Sequence, residues 1–370
     1  MLKTPETEHG IVNRVTGSVF AYQGWPSVCR DENGVLYAVA SSFRTEHICP
    51  FGKTAMYVSK NGGRTWTPPI VINDTYLDDR DAGIVYMGHG RMLVTWFCHP
   101  AEVYETQYFN SIKNSAQPSE AGPSLGMLAS YRHLPADRLQ GGSFLRVSED
   151  YGVTWSETIR LPVSAPHGPS VLDDGTLIYL GKELYSSTCV TPEEPGVIAA
   201  YASSDGGYTW ERRGTCQKPD GLSWDHFHEP HVIGLDGGRL LGAIRAQGQG
   251  VEHGFTVYTT VSDDGGCTWS PWRCVGVSGS PPHLMKHPSG AVVMSFGRRE
   301  PPFGERALVS FDGGETWPDE YVIDDRAADG DLGYPASVTL DDGSILTVYY
   351  QKWPGDGKCS ILYTKWRLEG

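Results

Sequence analysis

Ionisable and aromatic side chains concentrate in six short segments of the sequence, each of which leads into an apolar stretch. The segments are residues 22–26, 78–81, 165–168, 225–229, 279–283 and 331–334. They supply carboxylates, imidazoles, two phenols and a guanidinium group, which suit acid–base and nucleophilic chemistry. A purely structural connection does not need so many ionisable groups. The pattern therefore indicates an enzyme active site, provided that the fold brings the segments together.

The segment at residues 225–229 carries two histidines beside Glu229, a combination that can bind a metal ion. In an extended chain His226 and His228 lie on one face, and two imidazoles with a carboxylate suit Zn²⁺. However, His231 falls on the following strand, and no helical His-x-x-x-His spacing is present. We therefore predict no metal and expect His228 to hydrogen-bond hydroxyl groups of a ligand.

The elements that position these segments are repeats. The pattern Ser-x-Asp-x-Gly-x-Thr-Trp occurs at residues 59–66, with Asn61 in place of Asp, and at residues 148–155, 203–210, 262–269 and 310–317. Its Asp can accept backbone N–H groups of its own turn, and its Trp can cover the gap between neighbouring sheets. These boxes are therefore expected to stabilise the fold and to take no part in catalysis.

A second repeat consists of an apolar strand, a tight turn ending in Gly, and another apolar strand. Its six copies start at Pro26, Ala82, Pro169, Pro230, Pro282 and Pro335. Together the two repeats predict an all-β fold, a six-bladed β-propeller with four antiparallel strands per blade. We expect residues 1–370 to form one domain, with residues 10–20 closing the ring. In such a ring the six segments converge at one mouth.

An insertion of about residues 101–142 interrupts the second blade, and residues 124–134 have helical spacing. The insertion leaves the blade between its inner and outer strands. The sequence is therefore consistent with a lid that covers one face of the propeller and also with a segment that merely protrudes from the surface.

Composition excludes several functions. The formal net charge of −14 argues against partners such as nucleic acid or an anionic membrane surface. No apolar run approaches the ~18 residues of a membrane span. No glycine fingerprint between a strand and a helix is present, so no cofactor is expected.

The polar amino terminus predicts a cytoplasmic protein. The eight scattered cysteines are expected to be reduced, with a Cys267–Cys274 bridge as the alternative.

The five boxes and six blades resemble the sialidase (neuraminidase) superfamily, where the boxes are called BNR repeats. The resemblance covers essentially the whole chain. It implies that Tyr334 is a nucleophile activated by Glu229, because a neutral phenol suits an anomeric carbon that bears a carboxylate. It also implies that Arg245 and Arg306 clamp the substrate carboxylate.

Two motifs depart from the family pattern. Gly24-Trp25-Pro26 replaces the Arg-Ile-Pro that opens the first blade, and residues 43–50 lack the catalytic Asp. Glu46 or His47 is then the expected acid, and Arg44, Arg80 or Arg298 the expected replacement cation. Trp25 offers a face for stacking a sugar. Asp81 and His167 complete the predicted substrate contacts.

The resemblance implies an exo-α-sialidase-like glycoside hydrolase. Its expected partner is a carbohydrate with a carboxylate, and it would remove a terminal sialic acid or a related ulosonic or uronic acid. A polysaccharide lyase, with a His and Tyr pair acting on a uronic acid, is one alternative. A carbohydrate-binding propeller without activity is another. The sequence leaves the oligomeric state open.

Overall fold

The strands form six antiparallel sheets that close a ring around a central axis. The computed structural model describes residues 1–115, 117–184 and 196–369. Within each sheet, strands that are neighbours in the chain are hydrogen-bonded to one another. The first strand of each blade contacts the first strand of the next, and the sixth blade contacts the first. The predicted six-bladed β-propeller is therefore confirmed.

Each blade runs from an inner strand beside the axis to an outer strand at the rim. Blade 1 has β3 (Tyr22–Arg30), β4 (Leu36–Arg44), β5 (Lys53–Ser59) and β6 (Ile70–Asn73). Blade 2 has β7 (Arg80–Gly88), β8 (Arg91–Cys98), β9 (Gly142–Ser148) and β10 (Ile159–Leu161). Blade 3 has β11 (Ser170–Val171), β12 (Leu177–Lys182), β13 (Ile198–Ser203) and β14 (Glu211–Thr215).

The remaining blades repeat this plan. Blade 4 has β15 (Phe227–Gly234), β16 (Leu240–Gln247), β17 (Phe255–Ser262) and β18 (Arg273–Cys274). Blade 5 has β19 (Pro282–Lys286), β20 (Val292–Arg298), β21 (Gly304–Ser310) and β22 (Asp319–Asp324). Blade 6 has β23 (Gly333–Thr339), β24 (Ile345–Lys352) and β25 (Cys359–Trp366).

Two strands from the start of the chain complete the sheets. The outer strand of blade 6 is β2 (Glu8–Asn13), which pairs antiparallel with β25. A short strand, β1 (Leu2–Lys3), pairs parallel with β22 of blade 5. The ring is thus closed by hydrogen bonds between the two ends of the described chain, as expected, although the closing strand begins and ends earlier than residues 10–20.

The boxes stabilise the turns between the third and fourth strands. In the fourth box Asp264 Oδ1 accepts the backbone N–H groups of Cys267 and Thr268, at 3.0 and 2.9 Å. The indole N–H of Trp269 donates to the carbonyl of Gly266 at 3.1 Å. Trp269 is buried in a cluster with residues of blades 3 and 4. The boxes therefore act as predicted, and none of their Asp residues lines the mouth cavity described below.

The insertion in blade 2 contains three helices, α1 (Ala101–Glu105), α2 (Phe109–Lys113) and α3 (Pro118–Tyr131). It packs on the loop after β4, where the Tyr131 hydroxyl donates to the carbonyl of Pro50 at 2.9 Å. An ion pair between Glu120 and Lys358 ties it to blade 6. None of the described helices is long and apolar enough to span a bilayer.

Three short 3₁₀ turns, at Ala136–Arg138, Trp224–His226 and Asp236–Gly238, complete the secondary structure of the described residues. The seven cysteines in these residues are free thiols, as predicted, and this includes Cys267 and Cys274. Cys189 lies outside the described residues.

Candidate active site

A cavity of about 360 Å³ lies on the axis where the inner strands begin. All six blades and the insertion contribute to its wall. Seven of the predicted site residues line it: His47, Arg80, Asp81, His228, Glu229, Arg245 and Tyr334. The ring therefore brings together side chains that are far apart in the sequence, such as His47 and Tyr334.

The inner strands present these side chains from β-bulges. Asp81, Glu229 and Tyr334 each have a left-handed backbone, with φ of +52°, +47° and +53°. The pairing register with the second strand shifts at each of these residues. Side chains other than glycine rarely adopt this conformation, and where they do it is commonly imposed at a functional site. The bulges turn the three side chains out of the regular alternation and towards the cavity.

Tyr334 and Glu229 form a short hydrogen bond in the cavity wall. The Tyr334 hydroxyl donates to Glu229 Oε1 at 2.5 Å, and Arg245 Nη1 donates to Glu229 Oε2 at 2.5 Å. Burial alone would raise the pKa of Glu229, but Arg245 and the phenol lower it overall. Burial and Glu229 hold the pKa of Tyr334 well above its usual value. Glu229 is therefore a carboxylate aligned to accept the proton of a neutral phenol.

Asp81 faces the same cavity, but its pKa shifts in the opposite direction from that of Glu229. Burial, reinforced by repulsion from Glu229, raises the pKa of Asp81 to about 7. Its Oδ1 is buried and has no hydrogen-bond partner among the described residues. A carboxyl group of this kind holds a proton near neutral pH, so Asp81 can donate one where Glu229 accepts one.

Three guanidinium groups line the cavity. Arg245 lies beside Tyr334, with Nη1 3.3 Å from the phenol oxygen. Arg80 lies with its guanidinium carbon 4.1 Å from the ring centroid of Trp25. Arg299 donates from Nε to the carbonyl of Leu332 at 3.2 Å, while its buried Nη2 has no partner in the described chain. Such a set suits a ligand that bears a carboxylate.

His47 also lines the cavity and is fixed in one tautomer. Its Nδ1 is 2.9 Å from Asp331 Oδ1, and Tyr22 also donates to that oxygen at 2.9 Å. Hydrogen bonds and the nearby His47 lower the pKa of Asp331 to about 2 despite its burial, so the carboxylate only accepts. Nδ1 must then carry the proton, which leaves the lone pair on Nε2. Burial lowers the pKa of His47, so the ring is a better base than acid.

His228 does not take the predicted role of hydrogen-bonding a ligand. Lys182 Nζ donates to His228 Nδ1 at 3.3 Å, and His228 Nε2 donates to the carbonyl of Asp225 at 2.7 Å. Both nitrogens are engaged within the protein, so the ring offers the cavity only its carbon atoms. The same contacts leave no nitrogen of His228 for the metal site considered above.

Three other predicted residues lie behind the wall. Trp25 is only 1 % exposed, because Arg80 and Arg44 cover its ring. It therefore supports cations and offers no open stacking face. Arg44 is fully buried in an ion pair with Asp78. Glu46 does not line the cavity; it faces the insertion, where Ser115 donates a hydrogen bond to it.

The last three predicted residues lie in other parts of the propeller. Arg306 is on β21, the third strand from the axis, and donates to the carbonyls of Glu305 and Asp324. Arg298 donates to the carbonyl of Pro301, in the exposed turn after β20. His167 lies deeper on the axis and lines a different cavity.

The sequence presents Arg298 and Arg299 side by side, and the prediction assigned Arg298 to the site, whereas Arg299 lines the cavity. Neighbouring residues at the end of a strand point to opposite sides, and only the structure tells which one faces the axis. Lys182 was not predicted as a site residue. Lys182 gave no signal, since it closes an apolar strand and reaches across to the next blade. Tyr108 also lines the cavity, which makes the insertion part of the wall.

Comparison with known proteins agrees with this architecture. The profile of the BNR repeat-like domain family matches residues 129–347, more than half of the chain. No curated protein sequence matches the chain. A protein of unknown function from Dyadobacter fermentans has a TM-score of 0.75 at 22% identity, with 98% of each chain covered.

Solved sialidase structures share the fold at lower identity. The NanB sialidase of Streptococcus pneumoniae has a TM-score of 0.65 at 15% identity, covering 97% of this chain and 70% of that one. An intramolecular trans-sialidase from Ruminococcus gnavus has a TM-score of 0.61 at 15% identity, with 94% of each chain covered. At these identities the likeness concerns the fold. Because this family profile matches more than half of the chain, the chain belongs to the BNR repeat-like domain family.

Proposed function

We propose that the protein is an exo-acting glycoside hydrolase that removes a terminal acidic sugar and retains the configuration of its anomeric carbon. The observation that carries this proposal is the 2.5 Å hydrogen bond from Tyr334 to Glu229 inside a cavity lined by three arginines. A cavity of about 360 Å³ accommodates one sugar residue and leaves the leaving group outside.

The arginines define the substrate class. Arg80, Arg245 and Arg299 present guanidinium groups to the cavity from blades 2, 4 and 5. A substrate carboxylate placed among them gains charge-assisted hydrogen bonds, including one with the unpartnered Nη2 of Arg299. A neutral sugar would leave Nη2 of Arg299 without a charged partner, so it would bind more weakly.

In the first step the Tyr334 oxygen forms a bond to the anomeric carbon while its proton passes to Glu229. At the same time the bond to the leaving oxygen breaks, and Asp81 protonates that oxygen. A phenol is a suitable nucleophile here because a carboxylate would be repelled by the substrate's own charge.

In the second step a water molecule attacks the anomeric carbon and gives its proton to the ionised Asp81. Tyr334 leaves and recovers its proton from Glu229. Two displacements at the same carbon restore the original configuration, and the three protein groups return to their starting states.

The test is hydrolysis of a panel of aryl glycosides of sialic acid, related ulosonic acids and uronic acids, with a rhamnoside as the neutral control. We expect release of the aryl alcohol from an acidic sugar only, and its loss in Tyr334→Phe. Hydrolysis of the rhamnoside at the same rate, or undiminished activity of Tyr334→Phe, would contradict the proposal. If no substrate is hydrolysed and Tyr334→Phe binds ligands as the unaltered protein does, a carbohydrate-binding propeller without activity is favoured.

A lyase acting on a uronic acid is the second candidate, because His47 presents the lone pair of Nε2 to the cavity. In that reaction His47 removes the C5 proton, an arginine neutralises the carboxylate, and Tyr334 protonates the departing C4 oxygen. The product contains a conjugated double bond. Ultraviolet absorbance without release of aryl alcohol, abolished by His47→Gln, would establish elimination in place of hydrolysis.

A further inference from the structure

A second cavity, of about 470 Å³, lies on the axis beyond the first. Its wall includes residues at the far ends of the inner strands, among them Arg30, Tyr86 and Lys286. Because the mouth cavity lies where those strands begin, the second cavity opens on the opposite face of the propeller. We call it the rear cavity.

Three histidines form the floor of the rear cavity. His167, His231 and His283 come from blades 3, 4 and 5, and their ring centroids are 4.7 to 5.6 Å apart. They are 2 %, 5 % and 8 % exposed. His231 follows Glu229 by two residues on β15, so the floor lies directly below the mouth cavity. None of the three has a role in the hydrolysis proposed above.

Backbone hydrogen bonds fix the tautomers of two of these rings. The N–H of Leu284 donates to His231 Nδ1 at 3.0 Å, and the N–H of Ser337 donates to His283 Nδ1 at 3.3 Å. An atom that accepts from a backbone amide carries no proton, so each neutral ring carries its proton on Nε2. Neither Nε2 has a hydrogen-bond partner among the residues described.

The third ring, His167, differs from the other two because neither of its nitrogens accepts a backbone amide. Both of its nitrogens are buried, and neither has a hydrogen-bond partner in the part of the chain that the structure describes. Burial holds the pKa of His167 well below its usual value, so the ring is neutral and offers one N–H donor and one acceptor. Unpaired buried polar atoms are costly, which points to a ligand or solvent partner.

The rear cavity is poor in negative charge. No described residue in its wall is Asp or Glu, although the chain has 44 acidic residues. Its charged residues are Arg30 and Lys286, near the opening, and apolar side chains such as Val28 and Ile233 form much of the wall. A few polar groups in the wall of a largely apolar cavity are typical of a small-ligand site.

We propose that the rear cavity binds a small anion, held by the Nε2–H groups of His231 and His283 and by His167. A metal ion does not fit, since a ligating nitrogen needs a free lone pair. At His231 and His283 the only nitrogen without a proton already accepts a backbone amide. The anion site is separate from the mouth cavity and does not depend on the proposed hydrolysis.

The experiment uses bromide and formate as probes of a halide and of a carboxylate. Crystals soaked in bromide should show an anomalous peak within hydrogen-bond distance of Nε2 of His231 and His283. In solution, chloride NMR lines should broaden on addition of the protein, and either probe should reverse the broadening by competition. Competition by bromide but not by formate would indicate a site for halides. Competition by both would indicate that the site also accepts a carboxylate.

His167→Leu should abolish the broadening, while His133→Leu, an exposed histidine of the insertion, should leave it unchanged. If His167→Leu does not fold, the bromide peak in the unaltered protein decides the question. Absence of that peak, equal broadening in folded His167→Leu, or Co²⁺ bound at the floor with a ligand-field spectrum would overturn the proposal.

Discussion

Asp81 and Glu229 face one cavity from blades 2 and 4, and the charge of Glu229 helps to raise the pKa of Asp81 to about 7. Arg245 lowers the pKa of Glu229 against the effect of its burial. Two carboxyl groups in the same cavity therefore hold opposite protonation states near neutral pH, which is the arrangement required for one acid and one base.

This pair predicts a bell-shaped pH profile of kcat/KM. Activity should rise as Glu229 ionises, below its usual pKa, and fall with an apparent pKa near 7 as Asp81 loses its proton. Asp81→Asn should remove the alkaline limb and slow substrates with poor leaving groups by about 10²–10⁴-fold. Glycosyl fluorides, which need little protonation, should be affected much less. Retention of the alkaline limb in Asp81→Asn would assign the acid to another group.

Tyr334→Phe removes the proposed nucleophile and leaves the ring in place. The wall of the cavity should remain, while kcat falls by at least about 10³-fold. Mass spectrometry of the unaltered protein with a fluorinated acidic sugar should detect a covalent adduct on Tyr334. An adduct of equal yield in Tyr334→Phe would show that the label reacts at another residue.

Arg299 and Arg306 allow a matched test of the substrate clamp. Arg299→Met should raise KM for an acidic sugar by about 10-fold to 100-fold, because a charge-assisted hydrogen bond is worth about 1.5–3 kcal/mol. Arg306→Met should leave KM unchanged, since Arg306 lies on the third strand, with its Nη1 donating to backbone carbonyls. Steady-state kinetics on both variants, with folding checked by thermal unfolding, distinguishes the two positions; the reverse order of effects would restore the sequence-based assignment.

Asp331 should make stability depend on pH. Its pKa of about 2 in the folded protein lies below the ~3.9 of an unfolded chain. Its contribution, of about 2 kcal/mol, is therefore complete above pH ~4 and is lost as the pH falls towards 2. Asp331→Asn should lower the free energy of unfolding near neutral pH and converge with the unaltered protein in acid. Urea unfolding across this range, with the exposed Asp220→Asn as control, measures the difference; a constant gap would contradict the assignment.

Much of the fold could be predicted because its signals are local. Each box fixes its own turn through contacts within eight residues, as the hydrogen bonds of Asp264 illustrate. The position just before a strand that opens with Pro identified Glu229 and Tyr334, since entry to an inner strand places a residue at the mouth. Periodicity and turn chemistry suffice for such assignments.

The rest of the site depends on how deeply each side chain is buried and on contacts between blades. Short-range patterns in a single sequence do not encode either of these. Trp25 precedes the Pro of an inner strand just as Glu229 does, yet two guanidinium groups cover it. His228 looks available until Lys182 of the neighbouring blade occupies its ring nitrogen. Arg298 and Arg299 differ by one position, and the end of β20 decides which of them faces the axis.

The left-handed bulges have a consequence for engineering the protein. Glycine at position 81 would avoid the conformational cost, of about 1 kcal/mol or more, that a larger side chain incurs, and it would remove a buried carboxyl oxygen that has no partner among the described residues. Heat resistance and turnover are therefore opposed at this position. Laboratory evolution that selected only for thermal stability would therefore favour glycine there. The resulting propeller would be more stable but would no longer hydrolyse its substrate.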